Sequence, residues 1–195
     1  MNSNTSTPAT NNRPALSIND LTLIALFTAV IAVCSWISIP AAVPFTLQTF
    51  AVFLTVGLLG GKRGTITVIV YILLGAIGVP VFSGFTGGIG HLLGPTGGYI
   101  IGFIFSAIVM WFAENRFGKS LRVLAASMIV GLIVCYAFGT AWFMTVYTRE
   151  SGAIGLMTAL GWCVFPYIIP DAVKIAVAVI LCRRLRPVLA GMQTR

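Results

Sequence analysis

Asp171 and Lys174 are two ionisable residues inside an otherwise apolar stretch, IIPDAVKIAVAVIL (168–181). Their spacing of three places them on one face of a helix. Charged side chains at membrane depth are costly and usually mark a functional site. A carboxylate that accepts and an ammonium that donates would suit a small ligand with both kinds of group, or a ligand carboxylate. The alternative is a structural ion pair that only neutralises itself.

Residues that could support catalysis or nucleotide binding are scarce elsewhere. AENRFGKS (113–120) resembles a P-loop, but Ala113 replaces its first glycine and an apolar helix precedes it. VFSGF (81–85) lacks the first glycine of the G-x-S-x-G motif. The chain has one histidine, four acidic residues and four cysteines without C-x-x-C spacing. We therefore predict no catalytic residues, no enzyme activity, no metal and no cofactor.

The composition identifies an integral membrane protein. Hydrophobic residues make up 58% of the 195 residues and charged residues only 8%, whereas soluble proteins carry about 25% charged residues. The net charge of +8 could indicate a nucleic-acid partner. However, the basic residues cluster between apolar runs, a pattern that membrane topology explains better.

Six apolar segments could span a bilayer. They predict an all-α bundle of six transmembrane helices within 20–186, between a polar tail (1–19) and a C-terminal tail (187–195). The predicted helices cover 21–39, 46–60, 64–80, 98–113, 122–147 and 160–182. Pro170 is expected at the first position of a helical turn, beside Asp171.

The basic residues predict the orientation of the bundle. Ten of the twelve lie in the two tails, in alternate loops or at the C-terminal end of the last helix. These ten are Arg13, Lys62, Arg63, Arg116, Lys119, Arg122, Arg183, Arg184, Arg186 and Arg195. By the positive-inside rule both termini are cytoplasmic.

Two outer loops would then flank the charged pair. The first, IPAAVPFTLQTF (39–50), offers Phe45, Thr46 and Gln48 as a lid over a pocket. The second, GFTGGIGHLLGPTGG (84–98), contains seven glycines and His91. Glycine permits tight non-helical backbone, which is tolerated at membrane depth only where it is buried or lines a cavity. We expect this segment to form one wall of a ligand pocket, with His91 incidental.

Three segments carry a resemblance to a known family: VPFTLQTFAVFL (43–54), GVPVFSGFTGGIGHLLGPTGGYIIGF (78–103) and PDAVKIAVA (170–178). They resemble the BioY family, the biotin-binding S components of energy-coupling factor (ECF) vitamin transporters. The resemblance implies a six-helix bundle in the cytoplasmic membrane of a bacterium or archaeon. It also implies that the bundle captures biotin from outside and works with a transmembrane coupling subunit and two cytoplasmic ATPases. A solitary transporter, an S component for another vitamin and a homo-oligomer stay open as alternatives.

The resemblance also implies residue roles. In helix 1, Ala25 and Ala29 would form the family's Ala-x-x-x-Ala motif that docks the coupling subunit, although small residues four apart also occur in ordinary packing. Asp171 and Lys174 match the family's acidic and basic pair. From the chemistry of biotin, we expect further contacts from polar and aromatic side chains and from loop backbone. These are Thr46, Gln48, Tyr99, Tyr167, Phe45, Phe85, Trp142, Gly84, Gly87 and Gly88.

Overall fold

The computed structural model describes residues 17–193 apart from Ala42. Most of the polar tail predicted over 1–19 therefore lies outside the described residues, as do Arg13 and Arg195. The helices are α1 (Ile18–Trp36), α2 (Gln48–Leu59), α3 (Gly61–Ala76), α4 (Ile89–Leu93), α5 (Gly97–Phe117), α6 (Leu121–Ser151), α7 (Leu156–Cys163) and α8 (Phe165–Gln193). Two short strands, β1 (Ser38–Ile39) and β2 (Phe45–Thr46), form an antiparallel hairpin, and a single 3-10 turn covers Ser83–Phe85.

The prediction of an all-α membrane bundle is confirmed, with one difference in helix count. Among the described residues, seven helices have eight residues or more, because the predicted sixth helix divides into α7 and α8 at Val164. Pro166 has no N–H to donate to the carbonyl of Trp162, and its ring opposes a continuous helix there. The expectation that Pro170 begins a helical turn was wrong, since Pro170 lies inside α8.

The long helices have the length and apolar surface of membrane spans. Four stretches meet both criteria: Ile18–Trp36, Gly97–Phe117, Leu121–Arg149 and Leu156–Leu189. Their outward faces carry exposed apolar side chains such as Leu26, Ile133 and Ile180, which a bilayer would cover. α8 continues beyond the predicted end at 182 and through most of the segment assigned to a C-terminal tail.

The short helix α2 lies at the centre of the bundle. It packs against α1, α3, α5 and α8, and Ala51, Val52 and Phe53 are fully buried on successive sides of it. A helix that is apolar all round is a buried helix. This central position explains why the segment is so uniformly hydrophobic although it has only 12 residues.

α5 and α6 form a tight helical hairpin beside α2. A Cβ atom at Gly139 would come within 2.3 Å of the Tyr99 ring, and one at Gly98 within 2.3 Å of Trp142 Cβ. The two glycines therefore let these aromatic side chains pack directly on the neighbouring backbone. This close approach holds the N-terminal end of α5 against the C-terminal half of α6 beside the cavity described next.

Candidate ligand-binding site

A cavity lies where the β-hairpin, the N-terminal end of α2 and helices α4, α5, α6, α7 and α8 converge. A volume of about 70 Å³ in it is open to the centres of water molecules. The lining residues are Val43, Pro44, Thr46, Gln48, Thr49, Ser83, His91, Thr96, Tyr99, Ile100, Phe103, Leu132, Cys135, Tyr136, Cys163, Tyr167, Asp171 and Lys174. Six of the predicted contact residues are therefore brought together: Thr46, Gln48, Tyr99, Tyr167, Asp171 and Lys174.

Asp171 and Lys174 form a buried ion pair in this cavity. Lys174 Nζ lies 2.8 Å from Asp171 Oδ1, and the two residues are only 3% and 7% exposed. Lys174 also donates to the backbone carbonyl of Thr46 at 2.7 Å and lies 4.2 Å from the centre of the Phe45 ring. The ammonium is thus stabilised on three sides, as a charge at this depth requires.

Tyr136 is the main site residue that the sequence reasoning missed. Its hydroxyl donates to Asp171 Oδ2 at 2.5 Å, so each carboxylate oxygen holds a different partner. A hydroxyl in the middle of the apolar helix α6 was the available signal, because a buried tyrosine hydroxyl usually needs a hydrogen-bond partner. Tyr136 and Lys174 together fix the orientation of the carboxylate.

The β-hairpin, which belongs to the loop predicted over 39–50 as a lid, lines one side of the cavity. Tyr167 donates from its hydroxyl to the carbonyl of Val43, and the Phe45 ring stacks on Tyr167 with centroids 6.0 Å apart. Phe45 therefore touches the site through Lys174 and Tyr167 without lining the cavity itself. The hairpin is held to α8 by side chains of α8.

Two further hydrogen-bonded chains shape the walls. Gln48 donates from Nε2 to the Tyr71 hydroxyl at 3.0 Å, and Tyr71 donates to the carbonyl of Val81 at 3.0 Å. On the other side the Tyr99 hydroxyl lies 2.9 Å from Thr140 Oγ1. These partners leave the Gln48 amide oxygen available to a ligand.

The glycine-rich segment 84–98 contributes differently from the prediction. Gly84, Phe85, Gly87 and Gly88 do not line the cavity. Phe85 is 64% exposed and stacks on Trp36. A Cβ at Gly87 would lie 2.4 Å from the carbonyl oxygen of Val79, so Gly87 allows backbone to pack against backbone, whereas Gly84 and Gly88 are needed for their positive φ angles of 70° and 95°.

Three other residues of the same region face the cavity: Ser83, His91 and Thr96. His91 was expected to be incidental, but its ring lines the cavity, stacks on Phe82 and contacts Thr86 Oγ1 at 3.2 Å. Burial lowers the pKa of its imidazole, which favours the neutral ring at pH 7. Trp142 lies behind this wall and donates from Nε1 to the carbonyl of Gly94 at 3.0 Å.

Comparisons with known proteins agree with this architecture. A model of the BioY family matches residues 5–191. The chain belongs to the BioY family. The probable biotin transporter BioY of Pyrococcus horikoshii is 40% identical over 172 residues, which cover 88% of this chain and 98% of the relative. The biotin transporter BioY of Thermotoga maritima is 42% identical over 163 residues, covering 83% and 92%.

A solved structure gives the same result for the fold. The crystal structure at 2.1 Å of the S-component for biotin from an ECF-type ABC transporter superposes with a TM-score of 0.78 at 31% identity. The match covers 89% of this chain and 95% of the solved chain. The fold is therefore that of a BioY-family S component, and the chain is a multi-pass membrane protein.

The small-residue stripe of this BioY-family chain lies on the outside of the bundle. Ala25 and Ala29 are both exposed on α1, whereas Ala32, one turn further, is buried in the core. A second helix could approach closely at Ala25 and Ala29. Within the described residues, no group of three or more His, Cys, Asp or Glu side chains could hold a metal ion.

Proposed function

We propose that this chain is the biotin-binding membrane subunit of an ECF-type transporter, which captures biotin from outside and delivers it inward. The observation that carries the proposal is the buried Asp171–Lys174 pair lining a cavity that is otherwise largely apolar. The BioY relatives named as biotin transporters, and the solved S-component for biotin, support the choice of ligand.

The pair matches the ureido group of biotin. That group offers two N–H donors and one carbonyl acceptor and carries no charge. Asp171 can accept from a ureido N–H, and Lys174 can donate to the ureido carbonyl by exchanging its bond to the Thr46 carbonyl. Because the two charges cancel, the site accepts a neutral group without leaving a buried charge unpaired.

The rest of biotin meets apolar and weakly polar walls. Ile100, Phe103 and Leu132 line the cavity and suit the sulfur-containing ring. Among the described lining residues, Lys174 is the only Lys or Arg, and Asp171 already pairs with it. We therefore place the valerate carboxylate toward the mouth, near the hydroxyls of Ser83 and Thr96.

We further infer that the subunit acts without catalysing a reaction and without a cofactor, and that both termini are cytoplasmic. The clustering of basic residues supports this orientation. Association with a coupling subunit and two ATPases is supported by the exposed Ala25 and Ala29 on α1. Co-purification of this chain with a co-expressed coupling module would test the association, and its absence would favour a solitary transporter.

Isothermal titration of the purified protein with biotin tests the central proposal. Biotin and desthiobiotin, which share the ureido group, should both bind tightly, and biotin methyl ester should bind with only a moderate loss. Riboflavin and thiamin are the control ligands. Tight binding of either control, or no binding of biotin, would overturn the proposal.

A further inference from the structure

A second polar pocket lies at the opposite end of the bundle from the β-hairpin. The turn between α2 and α3, the end of α5 with the α5–α6 loop, and the C-terminal part of α8 surround it. A volume of about 330 Å³ in it is open to the centres of water molecules. The lining residues are Gly57, Leu58, Leu59, Gly60, Arg63, Glu114, Lys119, Arg186 and Leu189.

Most charges of this pocket are paired within the protein. Arg63 pairs with Asp20 at 2.9 Å, and Lys119 pairs with Glu114 at 3.3 Å. Glu114 also accepts from the backbone N–H of Gly61. These pairs cancel, so the charge balance of the pocket depends on Arg186.

Arg186 is a partly buried cation with carbonyl partners only. Its Nε donates to the carbonyl of Gly57 at 2.8 Å, and its Nη1 donates to the carbonyl of Lys119 at 2.9 Å. Among the described side chains, no carboxylate lies within ion-pairing distance of its guanidinium. Such a group retains an excess positive charge, and its remaining N–H groups can donate hydrogen bonds to a planar or tetrahedral anion.

We propose that this pocket binds the phosphate of an anionic phospholipid, with Arg186 as the principal donor and Lys119 as the second. The pocket lies at the ends of helices that are long and apolar enough to span a membrane, which is where lipid headgroups would meet such helices. Lys62, Arg116, Arg122, Arg183 and Arg184 are exposed at the same end and attract an anionic surface. Leu58, Leu59 and Leu189 add an apolar side to the pocket, which a lipid can use and a free phosphate ion cannot.

Lipid binding by variants tests this proposal independently of biotin. The purified full chain is titrated with short-chain phosphatidylglycerol or phosphatidylcholine, and bound lipid is counted by native mass spectrometry. Phosphatidylglycerol should bind in preference, and Arg186→Gln should weaken its binding about tenfold, the usual cost of one charge-assisted hydrogen bond. Lys119→Gln should weaken it about threefold, and it leaves the bonds between α8 and α2 intact.

Arg184→Gln is the matched control, because it removes the same charge from an exposed position on α8 outside the pocket. An equal loss with Arg184→Gln would indicate general attraction to the membrane and overturn the site. If inorganic phosphate competes with phosphatidylglycerol for the pocket equally well, the ligand is a small anion and the lipid assignment is wrong. If the wild-type chain shows no preference between the two lipids and Arg186→Gln no longer co-purifies with the coupling subunit, the pocket binds an acidic protein segment instead of a lipid. The melting temperature of each variant shows that the bundle is folded.

Discussion

The two sides of the candidate ligand cavity are built in different ways. On the α8 side, the polar atoms belong to side chains: the Asp171 carboxylate, the Lys174 ammonium and the Tyr136 hydroxyl, which donates to the carboxylate. On the side of the glycine-rich segment 84–98, the main feature is the path of the backbone itself. A Cβ at Gly97 would lie only 1.8 Å from the carbonyl oxygen of Leu92.

This difference determines what a substitution should do. If Asp171, Lys174 and Tyr136 contact the ligand as proposed, changing one of their side chains should remove a specific interaction while the path of the backbone stays the same. Adding a side chain in the glycine-rich segment displaces backbone, so stability and binding should fall together. Four substitutions, ordered by the expected loss of biotin affinity, test this distinction.

Asp171→Asn should have the largest effect, a loss of biotin affinity of about 100-fold. The amide keeps the shape of the carboxylate but leaves Lys174 without its counter-ion and gives a ureido N–H a weaker acceptor. Isothermal titration measures the change. Asp20→Asn is the control, since Asp20 is also buried and paired, with Arg63, but lies away from the cavity. Similar affinities for Asp171→Asn and the wild type would remove Asp171 from the site.

Tyr136→Phe should weaken biotin binding about tenfold. The charged carboxylate of Asp171 loses the hydrogen bond that its Oδ2 accepts from the Tyr136 hydroxyl, and it becomes free to rotate. The melting temperature should change little. Tyr147→Phe on the same helix is the matched control, since Tyr147 stacks on Phe143 and does not line the cavity. If the two variants lose biotin affinity equally, Tyr136 affects binding through the packing of α6 and not through its hydrogen bond to Asp171.

These α8-side residues also mark what the sequence could predict. Asp171 and Lys174 were visible because a charge within an apolar run is unusual at any position in a spanning helix. Tyr136 gave a weaker signal, since a tyrosine in such a run is ordinary and its pairing with Asp171 depends on how α6 packs on α8. The six apolar segments predicted the bundle. The break at Val164 depends on the position of Pro166, and the apolar composition of the segment does not reveal it.

The glycine-rich segment was harder to predict for a related reason. Its glycines indicated unusual backbone, and the structure contains unusual backbone there. Which atoms then face the cavity depends on the direction of each turn, which glycine spacing does not determine. Gly84, Phe85, Gly87 and Gly88 consequently lie outside the cavity lining, and His91 lies within it.

Gly97→Ala should test the backbone side directly. The added methyl group must displace the carbonyl of Leu92, and overpacking of this kind typically costs about 1–3 kcal/mol. We expect the melting temperature to fall by about 5 °C and biotin affinity to fall about fivefold, equivalent to roughly 1 kcal/mol. Gly90→Ala is the matched control, because a Cβ there meets no atom within 4 Å. A normal melting temperature with weaker binding would instead show that Gly97 itself lies against biotin.

Trp142→Phe should have the smallest effect of the four. It removes the hydrogen bond from Nε1 to the Gly94 carbonyl, one of the ties that hold the glycine-rich segment against α6. Loss of a single neutral hydrogen bond corresponds to an affinity loss of about threefold, with a parallel small fall in melting temperature. Trp162→Phe, at an exposed position on α7, should change neither quantity. Weaker binding in Trp142→Phe at an unchanged melting temperature would instead make Trp142 a ligand contact, as the sequence predicted, and the two sides of the cavity would then act alike.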